Sequence, residues 1–250
     1  MPNKIRFLLL SVFSSFILSA AWYLHLTVLI FFAFVPLLYL EERITSNLNL
    51  SKPRLKLFGY AYVTFLFWNI LVTWWVVYAS FGGACMAFIF NSLFMALVFV
   101  IYSRIKQSLA SPFSDWILIP LWIAWEHGHT LWDLTWTWLT LGNVFAFNHA
   151  WVQWYEFTGT SGGTFWVLFT NILVYKTIKQ NASLKLVSAP IIKIAAAIIV
   201  PIFISYLIFF VRSTSLNSYK TVSVVIVQPN IDPYNDKFNW DFKYQFEKSI

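Results

Sequence analysis

Residues 191–211 read IIKIAAAIIVPIFISYLIFFV, and from Lys193 no charged residue occurs until Arg212. Crossing the hydrocarbon core of a bilayer takes about 20 mostly apolar residues, and this run supplies them. The same reading extends upstream to six further apolar runs, near residues 7–22, 25–40, 58–80, 83–103, 112–128 and 162–178. The fifth is short in itself and reaches 112–128 only with its flanks. Composition agrees. The chain of 250 residues is 59% hydrophobic and 21% aromatic but only 11% charged, against about 25% charged residues in soluble domains.

The formal charge of +7 does not point to nucleic acid, because the basic residues sit in short clusters between apolar runs. With the N-terminus in the cytoplasm, the inside segments hold Lys4 and Arg6; Arg43, Lys52, Arg54 and Lys56; Arg104 and Lys106; and Lys176, Lys179, Lys185 and Lys193. The outside loops hold none, and the remaining lysines and arginines follow the seventh run. Positive residues concentrate on the cytoplasmic side of membrane proteins. The expected topology is therefore N-in, with residues from 222 onward outside. Lys4, Arg6 and the apolar run ending at Ser19-Ala20-Ala21 also resemble a signal peptide. A second apolar run follows at once, so a retained helix is expected.

Downstream of the last run the writing changes. Residues 221–227, TVSVVIV, are β-branched without helical period and predict a short buried strand. Gln228-Pro229-Asn230 ends it, and residues 231–236 carry turn chemistry. Phe238, Phe242, Tyr244 and Phe246 then recur at near-helical spacing. A strand, a loop and a helix open an α/β domain but cannot bury a core alone.

The longest outside loop, residues 126–163, reads EHGHTLWDLTWTWLTLGNVFAFNHAWVQWYEFTGTSGG. Trp132, Trp136, Trp138, Trp151, Trp154 and Tyr155 crowd into it. Such rings favour the headgroup layer, so the loop is expected to lie on or dip into the membrane face, partly as short interfacial helices. Glu126, Asp133 and Glu156 are acids at that edge, suited to a substrate amine or a phosphoethanolamine headgroup, and equally to capping helices. His127, His129 and His149 have no metal-type spacing. Gly159-Thr160-Ser161-Gly162-Gly163 matches no phosphate-loop pattern and reads as a flexible, closely packed helix entry. Cys85, the single cysteine, lies in an apolar run and reads as a small buried residue.

Three stretches carry a family resemblance: Pro120-Leu121-Trp122 with Glu126 and Trp138-Leu139-Thr140-Leu141-Gly142-Asn143; Gln153 to Gly159 leading into Gly162-Gly163, Trp166 and Asn171; and Val227-Gln228-Pro229-Asn230-Ile231. In this order the chain resembles the N-terminal part of apolipoprotein N-acyltransferase, a bacterial enzyme that adds the third acyl chain to lipoproteins. The resemblance implies a mainly α fold: a polytopic transmembrane bundle of about seven helices over 1–211, then the first strand and helix of an incomplete nitrilase-like domain over 221–250. It also implies acyl transfer from phospholipid to the terminal amine of diacylated lipoproteins, by a Glu, a Lys and a Cys that lie beyond Ile250. The 250 residues alone are then expected to be inactive, and no catalytic residue is assigned. Many family members carry an Arg where His129 stands, so no role is carried over to it.

The candidate substrate-binding residues are Glu126, Trp138, His149, Gln153 and Glu156, all on the outer loop. No metal or other cofactor is expected. The implied partners are phospholipid, diacylated lipoprotein and the bilayer, and the implied location is the bacterial inner membrane. A truncated scaffold and a small transporter are the competing readings. No charged midplane pathway supports the transporter.

Overall fold

The computed structural model describes residues 2–47, 50–109, 111–180, 188–216, 222–232, 236–237 and 239–248. They fall into two units, residues 1–211 and 212–250. Among the described residues there are eight α-helices: α1 Pro2–Tyr23, α2 Val35–Thr45, α3 Pro53–Thr73, α4 Phe81–Leu109, α5 Leu118–Gly128, α6 Tyr155–Gln180, α7 Ser188–Leu216 and α8 Phe242–Lys248. Five 3-10 segments connect them.

Among the described residues, four helical stretches are by length and composition able to cross a membrane: Lys4–Tyr23, Pro53–Tyr78, Phe81–Leu109 and Ala189–Arg212. Where about seven helices were expected, the described residues form eight α-helices, and the runs near 25–40, 112–128 and 162–178 are built differently from these four. The second run is broken into a 3-10 segment, Thr27–Phe32, and α2. At 11 residues, α2 and α5 are each about 16 Å long, well short of a bilayer core. The sixth run lies within α6, whose Thr164, Thr170 and Asn171 are fully buried. Its polar content is spent on interior contacts.

The first unit buries polar groups within its apolar core and leaves many large apolar side chains exposed. Ser11, Ser14, Ser15, Thr64, Asn69 and Ser92 are buried, while Leu9, Phe13, Phe16, Ile199, Phe203 and Phe210 are exposed. So much exposed apolar surface is foreign to a soluble monomer and natural in lipid. α3 packs chiefly against α4 and α1. Asn91 Nδ2 donates to Asn69 Oδ1 at 2.8 Å across the α3–α4 pair, and Thr64 Oγ1 donates to Ser11 O at 3.1 Å across α1–α3. Between membrane helices such polar contacts supply adhesion that apolar surface cannot. Phe34, Phe65 and Trp122 meet in the centre with ring separations of 5.2 and 5.4 Å to the indole.

Local chemistry sets the breaks. Ser80 Oγ accepts from Gly83 N at 3.2 Å, capping the start of α4, so the third run ends in the 3-10 turn Trp74–Tyr78. The break between Ile30 and Phe34 would strand backbone groups in an apolar interior, which is costly. Asn171 of α6 resolves it. Its Nδ2 donates to Ile30 O at 2.8 Å, and its Oδ1 accepts from Phe34 N at 2.8 Å. Ser14 Oγ donates to Ala33 O at 2.5 Å.

The loop cations gather at one end of the bundle. Lys106 pairs with Glu41 at 2.7 Å and Asp115 at 2.8 Å, Lys176 with Asp115 at 3.6 Å, and Lys179 with Glu42 at 2.5 Å. Glu41 is fully buried, and Ser103 Oγ donates to its second oxygen at 2.7 Å. The opposite end is aromatic: His25 lies 3.8 Å from the ring of Phe147, and Trp75 meets Trp138 edge-on at 5.2 Å.

In the second unit the expected strand is not seen among the described residues. Thr221 lies outside the described residues, and 222–232 form no strand. Val222, Val224, Val225 and Ile226 are all more than 70% exposed. A strand exists through the ladder it makes with a neighbour, and no described residue supplies one. The aromatic helical pattern forms α8, where Phe242 and Phe246 stack at 6.3 Å. Phe238 lies outside the described residues.

Asn171→Leu is expected to leave Phe34 N unpaired and Ile30 O with only the long 3.4 Å bond from Ala33 N, at a cost of about 1–3 kcal/mol. Asn171→Asp keeps the acceptor for Phe34 but turns an oxygen toward Ile30 O and Val167 O in a buried site, and is expected to destabilise at least as much as Asn171→Leu. Thermal unfolding of the purified protein in detergent measures this, and an unchanged melting curve for Asn171→Leu would refute the role.

Candidate functional site

α5 ends at Gly128, and on its last turns Trp122 and Glu126 share a face, four residues apart. Trp122 Nε1 donates to Glu126 Oε1 at 3.1 Å. The same oxygen accepts from Leu141 N at 2.8 Å. The other oxygen, Oε2, accepts from Thr164 Oγ1 of α6 at 2.6 Å. Thr164 Oγ1 in turn accepts from Gly142 N at 3.2 Å. A hydroxyl has one hydrogen; because Gly142 can only donate, that hydrogen points at Glu126.

Leu141 and Gly142 open the 3-10 segment Leu141–Trp151, where backbone N–H groups lack partners within the helix. Glu126 therefore caps this segment from a distance, once directly and once through Thr164. The side chain is only 8% exposed, and among the described residues it has no ion-pair partner. Three donors offset the cost of its burial. Both oxygens accept from these donors, so Glu126 supports the loop that carries Leu141 and Gly142.

Two glycines let that loop sit against α6. A Cβ on Gly142 would come within 2.1 Å of Thr160 O, and one on Gly163 within 2.9 Å of the Gly142 Cα. Tyr155 OH donates to Gly142 O at 2.8 Å, closing the contact. Gly159 has φ +62 and interrupts the helical geometry of α6, a conformation open to glycine at little cost.

Trp138 is more than half exposed and packs on Trp75. His149 and Glu156 are exposed. Gln153 Nε2 donates to His149 O at 2.8 Å, and Gln153 N donates to Ser205 Oγ of α7 at 2.5 Å. The structure thus joins His149 to Gln153, while Glu126 is held by other residues. Sequence reasoning did not single out Thr164, since a threonine within a helical run carries no local signal of such a role.

His129 is buried, and burial holds its imidazole below the ordinary pKa. Trp132 Nε1 faces its Nδ1 at 2.8 Å and Trp136 N its Nε2 at 3.1 Å. A neutral imidazole has one acceptor nitrogen, so it takes one of these donors at a time. With Asn91, Phe94 and Trp136 it lines a cavity of about 340 Å³. Among the described residues, no three His, Cys, Asp or Glu side chains gather as a metal would need. A second, almost wholly apolar groove of about 650 Å³ lies between α6 and α7, lined by Trp154, Phe165, Trp166, Val200 and Ile204 among others.

The arrangement is a rigid aromatic platform pinned from below by one carboxylate. Glu126→Leu is expected to strand the Leu141 N–H, costing about 1–3 kcal/mol, and to raise the rate of proteolytic cutting between residues 129 and 154. Glu126→Gln, which keeps one acceptor oxygen, is expected to do less. Equal cutting rates in parent and Glu126→Leu would remove the anchoring role.

The family model for the apolipoprotein N-acyltransferase N-terminal domain matches residues 14–173. The protein named apolipoprotein N-acyltransferase in Chlorobaculum tepidum is 30% identical over 222 residues, covering 87% of this chain. The chain spans 39% of the length of that relative. No solved structure gives a significant match. The matched region contains Trp122, Glu126, Leu141 and Thr164, and on that match the chain belongs to the apolipoprotein N-acyltransferase family, through its N-terminal domain.

Proposed function

We propose that this chain is the membrane module of an apolipoprotein N-acyltransferase, which moves an acyl chain from phospholipid to the N-terminal amine of a diacylated lipoprotein. The family match over residues 14–173 carries this reading. In the reaction, a thiolate attacks the phospholipid ester, releasing lysophospholipid and forming a thioester. The lipoprotein amine then attacks the thioester, giving an amide and restoring the thiol. The nucleophile, with its Glu and Lys partners, is not assigned to any of these 250 residues in this reading. Residues 221–250 open the nitrilase-like domain that would hold them, and the 250 residues alone are inactive.

The outer platform receives both substrates. Trp138 sits at headgroup depth, Glu156 offers a carboxylate to an ammonium group, and His149 with Gln153 supplies polar contacts. The groove between α6 and α7 suits an acyl chain, being wide and almost wholly apolar. The N-terminus lies in the cytoplasm of a bacterial cell, the platform and the tail on the periplasmic face of the inner membrane.

Cys85 is the free cysteine of the chain and sits in the first turns of α4, partly buried. It has no neighbouring acid–base pair among its described contacts and is not the nucleophile.

The native protein, purified from its own membranes and given phospholipid and a diacylated lipopeptide with a free amine, is expected to add one acyl chain to the peptide by mass spectrometry. The isolated 250-residue segment is expected to add none. Cys85→Ala in the native protein should retain full activity. Absence of transfer by the native protein would sink the enzyme reading, and loss of activity in Cys85→Ala would move the nucleophile. A reporter enzyme that works only outside the cytoplasm, fused after Val211, is expected to be active. Silence there would reverse the topology.

A further inference from the structure

At the end of the bundle that carries the loop cations, away from the aromatic platform, α1, α2 and α6 border a cavity of about 550 Å³. One wall is apolar: Leu10 and Phe13 of α1, Pro36 of α2 and Ile178 of α6. Phe13 and Ile178 are each more than half exposed, so the cavity opens sideways. Its rim is polar, formed by Tyr39, Arg43 and the Glu42–Lys179 pair.

Two guanidinium groups converge on Tyr39. Arg43 lies 4.9 Å from the ring centroid. Arg6 lies 5.9 Å from it and donates from Nη2 to Tyr39 OH at 3.2 Å. Among the described residues neither arginine has an acidic partner. The nearby acid, Glu42, does not serve them, because Lys179 and the Tyr175 hydroxyl occupy its oxygens. Two cations gathered at one ring make a place where an anion would be attracted by both.

Depth matches this pattern to an amphiphile. The first candidate span begins at Lys4, which puts Arg6 at the membrane edge. Leu10 and Phe13 follow by four and seven residues, about 6 and 10 Å deeper along α1. Positive charge at the edge above an apolar wall is the complement of an anionic head above hydrocarbon chains. Guanidinium groups bind phosphate through parallel N–H bonds, and basic pockets between membrane helices suit anionic lipid heads.

We propose that this cavity binds one anionic phospholipid, its phosphate between Arg6 and Arg43 and its acyl chains along Leu10, Phe13 and Ile178. The inference rests on the reading of α1 as a membrane-crossing helix. The bound lipid is not an acyl donor. It sits at the end of the bundle opposite the platform and seams α1 to α2 and α6, beside the buried ionic network of Glu41, Lys106 and Asp115.

The test uses the native protein in detergent, titrated with phosphatidylglycerol, phosphatidylcholine or inorganic phosphate, with bound lipid read by native mass spectrometry. Phosphatidylglycerol is expected to form a one-to-one adduct, and phosphatidylcholine to bind at least about tenfold more weakly. The double variant Arg6→Gln/Arg43→Gln is expected to lose about tenfold or more in phosphatidylglycerol affinity. Arg43→Lys keeps the charge without the fork and should fall between the two, which preserves the test should the double variant fold poorly. Arg54→Gln removes a charge at the start of α3, outside the cavity, and should leave binding unchanged. Parent-like affinity in Arg43→Lys and the double variant, or equal binding of the two lipids, would overturn the proposal. So would displacement of the lipid by inorganic phosphate, which would reduce the site to a simple anion site. Carbonate washing of native membranes separates the underlying reading: release of the protein would overturn membrane insertion, whereas retention without a selective adduct would overturn the lipid site alone.

Discussion

An apolar interior tolerates no unpaired backbone group, and the first unit is organised around the places where its helices break. The sharpest case lies between the 3-10 segment Thr27–Phe32 and α2, where Ile30 O and Phe34 N meet the Asn171 amide and Ala33 O meets Ser14. Asn171 is the partner that lets α2 begin part-way along the bundle. α6 must then pass beside the break, and that fixes the height of Thr164 two turns earlier. The break and the platform are held by one helix.

The platform obeys the same rule. The start of the segment Leu141–Trp151 leaves N–H groups without helical partners, and Glu126 takes them directly and through Thr164. Close contact of Gly142 with Gly163 follows from this pinning, since the loop must approach α6 for Thr164 to reach Gly142 N. Carboxylate, hydroxyl and two glycines act as one joint. The exposed side chains Trp138, His149 and Glu156 are carried on a surface whose support is internal, which is how a loop holds a fixed shape for a substrate. The other end of the bundle is built on charge instead, with Lys106 between Glu41 and Asp115. A buried pair of this kind adds little net stability but is costly to break.

Much of this was legible in the residues. Long uncharged runs give α1, α3, α4 and α7 because a helix satisfies its own backbone bonds and needs only apolar side chains to sit in lipid. The aromatic crowding of 126–163 marks the loop that becomes the platform. The run at 25–40 read as a continuous span because hydropathy records side chains and is blind to a break whose backbone is rescued by an amide more than 130 residues away. The β-branched run at 222–227 read as a strand for a related reason. Propensity describes the residue, whereas a strand requires a neighbour.

The sequence by itself determined the membrane class, the clustering of cations and the family likeness, since each depends on residue type along the chain. It also marked Glu126 as an acid at the edge of an apolar run. Which groups hold that acid was decided by tertiary structure alone. A carboxylate at the membrane edge is equally suited to a substrate amine, a helix cap or water, and only folding brought together the three donors that make it a cap. Hydrogen bonds are short and directional, so the role of a polar residue rests on partners that folding brings within about 3 Å, here from three separate segments.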